Sequence, residues 1–244
     1  MSDMEDKDEN IISHIEAFRE MLLKSFICLG IFIIPMLFIA PKCLNLLIAL
    51  LIKDNNISLN YFSPVEVFII QIKLAFILDI ILCFPYIARQ IWKFFAPALY
   101  QHERKFIKSI VFTSTTLFIF GVFFCLFIIL PLIIDFGMSF TSQKINAVLG
   151  ISNIINLSFW LTLSFGLMFQ MPIITYALIK SGFVEYKTFE NMRPYVVVII
   201  LVIAGILTPP DIISQILLFT PTYMLFEAGL FFSKLRIKKD PNNG

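Results

Sequence analysis

The residues that could do chemistry are few and scattered. The chain has two histidines, His14 and His102. Neither has a carboxylate or nucleophile at motif spacing, so acid–base and nucleophilic catalysis have no constellation to run on. The four cysteines, Cys28, Cys43, Cys83 and Cys125, fall in or beside apolar runs. They form no CxxC pair and no Cys/His cluster, which makes them small apolar packing residues rather than metal or redox groups. The pattern predicts no enzyme, no metal site and no cofactor. What remains is a set of acids and amides in unusual company: Glu16, Glu20 and Glu103 among cations, Asp79 and Gln170 inside apolar runs, and Glu227 at the end of one.

Glu103 lies in "PALYQHERKF" (Pro97–Phe106), the single acid of a basic stretch. A lone acid there is either a local salt-bridge partner or a docking point for an incoming guanidinium, which a carboxylate grips at two points. Charges within apolar runs are expensive and so are paired or functional. Lys73 is near the outer end of its run, where its long stem lets the ammonium reach the interface. Asp79 sits deeper, about 120° around a helix from Lys73, so the two are poor partners. It reads equally as a functional group facing a bundle or as one satisfied by a neighbouring helix. Gln170, in "FGLMFQMP", needs partners across a helix interface. Glu227 reads as a solvated helix terminus.

The elements that must position these groups are membrane spans. Apolar residues make up 59% of the 244, charged residues only 15%, and there are 28 phenylalanines. Soluble chains run at roughly 45–50% apolar, so the excess calls for a lipid-facing exterior. The first 20 residues lack a basic region followed by an apolar core, and are not a cleavable secretory signal. Four runs satisfy the ~20-residue requirement for a span: Met21–Ala40, Val67–Ala88, Ser109–Ile134 and Ile155–Ile179. Tyr195–Thr208 has 14 residues before Pro209-Pro210, and Ile212–Phe226 has 15 before Glu227, with Pro221 inside. These predict short fifth and sixth helices in a tight hairpin, with Asp211 as N-cap of the last. "KCLNLLIALLIK" (Lys42–Lys53) is too short to span, and predicts a helix lying along the outer interface or capping the bundle.

Charge sets the topology. Three Lys/Arg precede or open span 1, five lie between spans 2 and 3, three between spans 4 and 5, and four after span 6. That is 15 of 19 on one side, which predicts six spans with both termini cytoplasmic. The fold expected is an all-α integral membrane protein: a cytoplasmic segment 1–20, a single six-span domain 21–233 and a cytoplasmic tail 234–244. The two halves differ in span length and loop type, which disfavours an inverted-repeat transporter.

Six stretches carry a family resemblance: "SPVEVF…K" (Ser63–Lys73), "FPYIARQIWKFFAPALYQHERKF" (Phe84–Phe106), "FGLMFQMP" (Phe165–Pro172), "RPYVVV" (Arg193–Val198), "LTPPDIISQ" (Leu207–Gln215) and "PTYMLFEAGLFFSK" (Pro221–Lys234). From His14 to about Lys234 the chain resembles TatC, the polytopic receptor subunit of the twin-arginine protein translocase. The resemblance implies a non-enzymatic role: binding the twin-arginine signal peptide of a folded cargo protein and assembling with single-span TatA- and TatB-type subunits. It implies an oligomeric receptor complex, export driven by the proton-motive force, and residence in the inner membrane of a bacterium or an equivalent organelle membrane. It implies no nucleic-acid partner. Onto this sequence it carries over a signal-peptide site of Glu103, Phe94 and Arg104 with Arg19 from the N-terminal motif. Gln170, Asp211 and Glu227 are further candidates, as intramembrane polar or partner contacts. Two positions depart from the family pattern. In "HIEAFR" Ala17 stands where a glutamate is usual, with Glu16 one residue earlier, so Glu16 is the expected helper of Glu103. Gln170 stands where many relatives have glutamate. The competing reading, from a different class, is a small-solute or ion transporter using Asp79 and Gln170.

Overall fold

Inside hydrocarbon every backbone N–H and C=O must be satisfied within the chain, and helix is the local way for a single apolar run to do it. The computed structural model describes residues 2–51, 59–60, 63–99, 104–139, 149–180, 182–207 and 212–237. Nine α-helices lie among them: α1 (Ser2–Leu51), α2 (Pro64–Leu99), α3 (Arg104–Phe124), α4 (Leu130–Ser139), α5 (Ile151–Met168), α6 (Met171–Lys180), α7 (Tyr186–Asn191), α8 (Arg193–Leu207) and α9 (Ile212–Ile237). Five stretches are long and apolar enough to cross a membrane: His14–Leu50, Val65–Phe95, Lys108–Ser139, Ile151–Lys180 and Gln215–Leu235, with Arg193–Ile206 a shorter sixth. The expected six apolar helices are present.

Their boundaries differ from those expected. The helix α1 begins at Ser2, well before the first apolar run, and continues through Pro35 and Pro41 to Leu51. The Lys42–Lys53 stretch is therefore no separate element as far as Leu51. Leu44 is buried with Ile70, Leu74 and Ile155, while Leu47 and Leu50 pack beside Leu130 and Ile133. The third span joins α3 to α4 through a π-helical turn, Cys125–Ile129, with Cys125 fully buried. The fourth breaks at Phe169–Gln170, between α5 and α6.

Of the two helices expected to be short, α8 is: its 15 residues span about 22 Å against a ~30 Å hydrocarbon core. The helix α9 runs for 26 residues, about 39 Å, through Pro221 and Glu227. The apolar run ends at Glu227 but the helix does not, since glutamate is a good helix former and ends only the apolar run.

One element had no sequence signal. Leu59–Asn60 (β1) pairs in parallel with Leu149–Gly150 (β2), Leu59 opposite Leu149 and Asn60 opposite Gly150. This two-residue ladder ties the segment after α1 to the segment before α5. It marks one end of the bundle, the ladder face. The opposite end, where α1 enters beside the end of α2, is the His14 face.

Close helix approach at glycines holds the middle together. A Cβ on Gly121 would fall 2.7 Å from the Phe165 carbonyl oxygen, and one on Gly166 would fall 2.6 Å from the Phe118 ring. The α3 and α5 backbones thus meet at reciprocal small residues, as lipid-embedded helices commonly do. Phe118 also stacks on Phe84 of α2, ring centroids 3.6 Å apart. Gly229 of α9 sits against the Pro172 backbone of α6 in the same manner.

Candidate functional site

At the His14 face, α1 and α2 are joined by aromatic rings. His14 and Phe18 are four residues apart and share one stripe of α1. His14 stacks on Phe94 with centroids 5.1 Å apart, and Phe18 tilts against the same ring at 5.8 Å. Phe95 meets it edge-on at 5.3 Å. The N-terminal segment and the end of α2, separate in sequence, are therefore one surface, with Phe94 half-buried at its centre.

The predicted acids and cations distribute unevenly around that surface. At about 100° per residue, Glu16 lies about 180° from the His14/Phe18 stripe, on the far side of α1 from Phe94. Arg19 lies about 120° from it. Both are exposed. Glu20 is the acid of α1 that feels α2: it pairs with Lys24, and Lys93 also attracts it. Sequence reasoning saw Glu20 but did not select it, since one-dimensional spacing carries no information on Lys93. Arg104 opens α3, though its side chain, like Glu103 and Asp211, lies outside the described residues.

Inside the bundle, Gln170 occupies the break between α5 and α6. Its Oε1 accepts from Ser114 Oγ, and its Nε2 donates to the Ser114 carbonyl at 3.1 Å and the Gly166 carbonyl at 3.5 Å. The amide uses both of its functions across the α3 interface. A carboxylate could not supply the two donated bonds. Asp79 is elsewhere, fully buried on α2, where Cys83 Sγ donates to Oδ1 at 3.4 Å. Asp79 and Gln170 hold separate partner sets, so among the described residues no shared hydrogen-bond network joins them into a two-residue transport site.

Two expectations are corrected. Lys73 does not merely reach for the interface: its Nζ donates to Asn156 Oδ1 on α5 at 2.5 Å, near the ladder. Glu227 is not a solvated terminus. Arg193 Nη2 donates to its Oε2 at 3.1 Å, and Tyr223 Oη donates to its Oε1 at 2.9 Å. Arg193 Nε is 2.8 Å from Oε1 with its N–H off that line, an ion contact rather than a second hydrogen bond. Glu190 adds a looser contact to Arg193 at 3.6 Å. The available signal was opposite charge: Arg193 and Glu227 were both assigned to helix ends on one side.

Six apolar helices, five of them of spanning length, packed through glycines and carrying an aromatic-centred polar face at one end, define a multi-pass α-helical membrane protein. The family profile of the Sec-independent protein translocase protein (TatC) matches residues 13–221. Similar chains include the Sec-independent protein translocase proteins TatC of Haemophilus influenzae (33% identical, covering 96% of this chain and 93% of that one) and TatC of Escherichia coli K12 (33%, 95% and 91%). TatCy of Bacillus subtilis is another (32%, 98% and 94%). A crystal structure of the twin-arginine translocase receptor TatC superposes with a TM-score of 0.85 at 31% identity, covering 90% of this chain and 99% of that one. The chain belongs to the TatC family.

Proposed function

We propose that this chain is the receptor subunit of a twin-arginine protein translocase, with both termini cytoplasmic in a bacterial inner membrane or an equivalent organelle membrane. The His14 face is then its cytoplasmic face. A folded cargo protein presents two arginines of its signal peptide there. Glu103 receives a guanidinium at two points, a geometry that lysine cannot copy, and Phe94 offers its ring for cation–π contact. Arg19 and Arg104 border the site. Glu16 helps from the α1 side if the peptide wraps that helix. TatA- and TatB-type single-span subunits assemble on the bundle, with the short α8 offering a docking surface and a place where the bilayer thins. The proton-motive force drives export.

The observation that carries this reading is the stacking of His14 and Phe18 on Phe94. It unites the two segments from which the family likeness builds a peptide site. The test is site-specific crosslinking of a twin-arginine signal peptide to the wild type, Glu103→Ala and Glu16→Ala. Loss of crosslinking in Glu103→Ala, and with a twin-lysine peptide, is expected. Undiminished crosslinking in both variants, or equal crosslinking with twin lysine, refutes the site.

A further inference from the structure

Asp79 is a buried carboxylate that lies outside the proposed signal-peptide site. It lies near the middle of a 31-residue apolar stretch of α2 and is wholly inaccessible. Its Oδ1 accepts from the Cys83 thiol one turn on, and the Cys28 thiol of α1 is within hydrogen-bonding reach of Cys83. This makes a short polar seam, Cys28–Cys83–Asp79, across the α1–α2 interface. Oδ2 is buried and has no hydrogen-bond partner among the described residues.

The charged groups of the helices packed on α2 do not serve it. On α1 the flanking cation Lys24 is held by Glu20, and Lys42 lies beyond Pro41. The α5 sequence contains no ionisable residue, and Lys73 is held by Asn156. Between Ser109 and Ile134 the third span has only Cys125, which accepts a weak hydrogen bond from Thr162. A carboxylate with one bare oxygen in such surroundings has neither solvent nor a countercharge, whereas the neutral acid leaves unmet only one hydroxyl.

We propose that Asp79 is an intramembrane proton-binding site, carrying its proton on Oδ2 in the closed bundle. The proton comes from the aqueous phase and returns to it only when α1 and α2 part at the cysteine seam. Asp79 therefore links movement of α1 to proton uptake and release. The proposal goes beyond the receptor reading and does not depend on it.

Infrared spectroscopy of the full chain in lipid bilayers at neutral pH tests it directly. The difference spectrum of wild type minus Asp79→Asn should contain the carbonyl stretch of a protonated carboxylic acid. If Asp79→Asn does not fold, Cys83→Ser serves instead, since changing the donor to Oδ1 should shift that same band. A difference spectrum holding only carboxylate bands, or no acid band that responds to Cys83→Ser, overturns the proposal. As a second readout, maleimide labelling of Cys28 and Cys83 should rise together with deuterium exchange of the acid proton. Exchange without labelling would mean that the proton leaves by a route other than the seam, and would overturn that part.

Discussion

Arg193 and Glu227 fasten α8 to α9 at the His14 face, a guanidinium on the first turn of one helix meeting a carboxylate late in the other. At the other end of the hairpin Gln215 Nε2 donates to the Leu201 carbonyl at 2.8 Å. The short fifth helix is thus clamped to the sixth at its first residue and again near its middle, while most of its apolar side chains, Tyr195, Val198, Val202 and Ile206 among them, face outward. An outward apolar helix held by two polar clamps is a surface whose tilt the clamps determine.

The first prediction concerns that ion pair. Its side chains are 37% and 34% exposed, so solvent screens it and its worth is modest, about 1 kcal/mol. Arg193→Ala and Glu227→Ala should each lower the unfolding free energy in detergent micelles by about that amount. The exchanged pair, Arg193→Glu with Glu227→Arg, should recover part of it. A double-mutant cycle reads the coupling, and additive single effects would show that the contact contributes nothing.

A second prediction separates glycines by what surrounds them. Gly121→Ala drives a methyl to 2.7 Å from a backbone carbonyl that cannot turn away, and Gly229→Ala does so at 2.9 Å from the Pro172 backbone. Overpacking of this kind costs about 1–3 kcal/mol. Gly30→Ala meets nothing within 4 Å and gains helix propensity of up to ~1 kcal/mol. Thermal unfolding of the three variants should therefore move in opposite directions, and a uniform loss would contradict the packing described.

Much of this fold was legible from the chain because spanning helices carry their own signal. The apolar run lengths located all six, since hydrocarbon thickness imposes them directly. The helix ends were less legible. Proline stops helices in water, yet α1 passes Pro35 and Pro41 and α9 passes Pro221, because breaking a helix in lipid costs more than the bond a proline removes. At the candidate site, Phe94 and the N-terminal segment were identified through family likeness, and packing then joined them through His14 and Phe18. The pairings of Lys73 with Asn156 and Arg193 with Glu227 span 83 and 34 residues. Polar contacts at that separation depend on helix rotation and tilt, which run lengths do not encode.

The third prediction follows from the uneven charge around α1. Phe94→Ala removes the ring on which His14 and Phe18 rest, and each aromatic contact is worth about 0.5–1.5 kcal/mol. The start of α1 should separate from α2, and a spin label near His14 paired with one near Phe94 should report a longer, broader distance. Signal-peptide crosslinking should fall about tenfold, the effect of ~1.4 kcal/mol. Phe94→Tyr keeps the ring and should retain both. Glu16→Ala, on the opposite side of the helix, should leave the spin-label distance unchanged whatever it does to the peptide.

Gln170 supports the last prediction. Its Nε2 gives hydrogen bonds to two buried carbonyls while its Oε1 takes one from Ser114. Gln170→Glu conserves the shape but turns both donated bonds into contacts between oxygens unless the new acid is protonated. Even then a single O–H must serve two carbonyls. The cost of an unsatisfied buried polar group is about 1–3 kcal/mol, so Gln170→Glu should unfold at lower denaturant than wild type at neutral pH. Ser114→Ala removes only the hydroxyl donor and should cost less, since the Ser114 carbonyl remains. If Gln170→Glu is as stable as wild type, the amide is not the fastening of the α5–α6 break to α3 that its two hydrogen bonds to Ser114 describe.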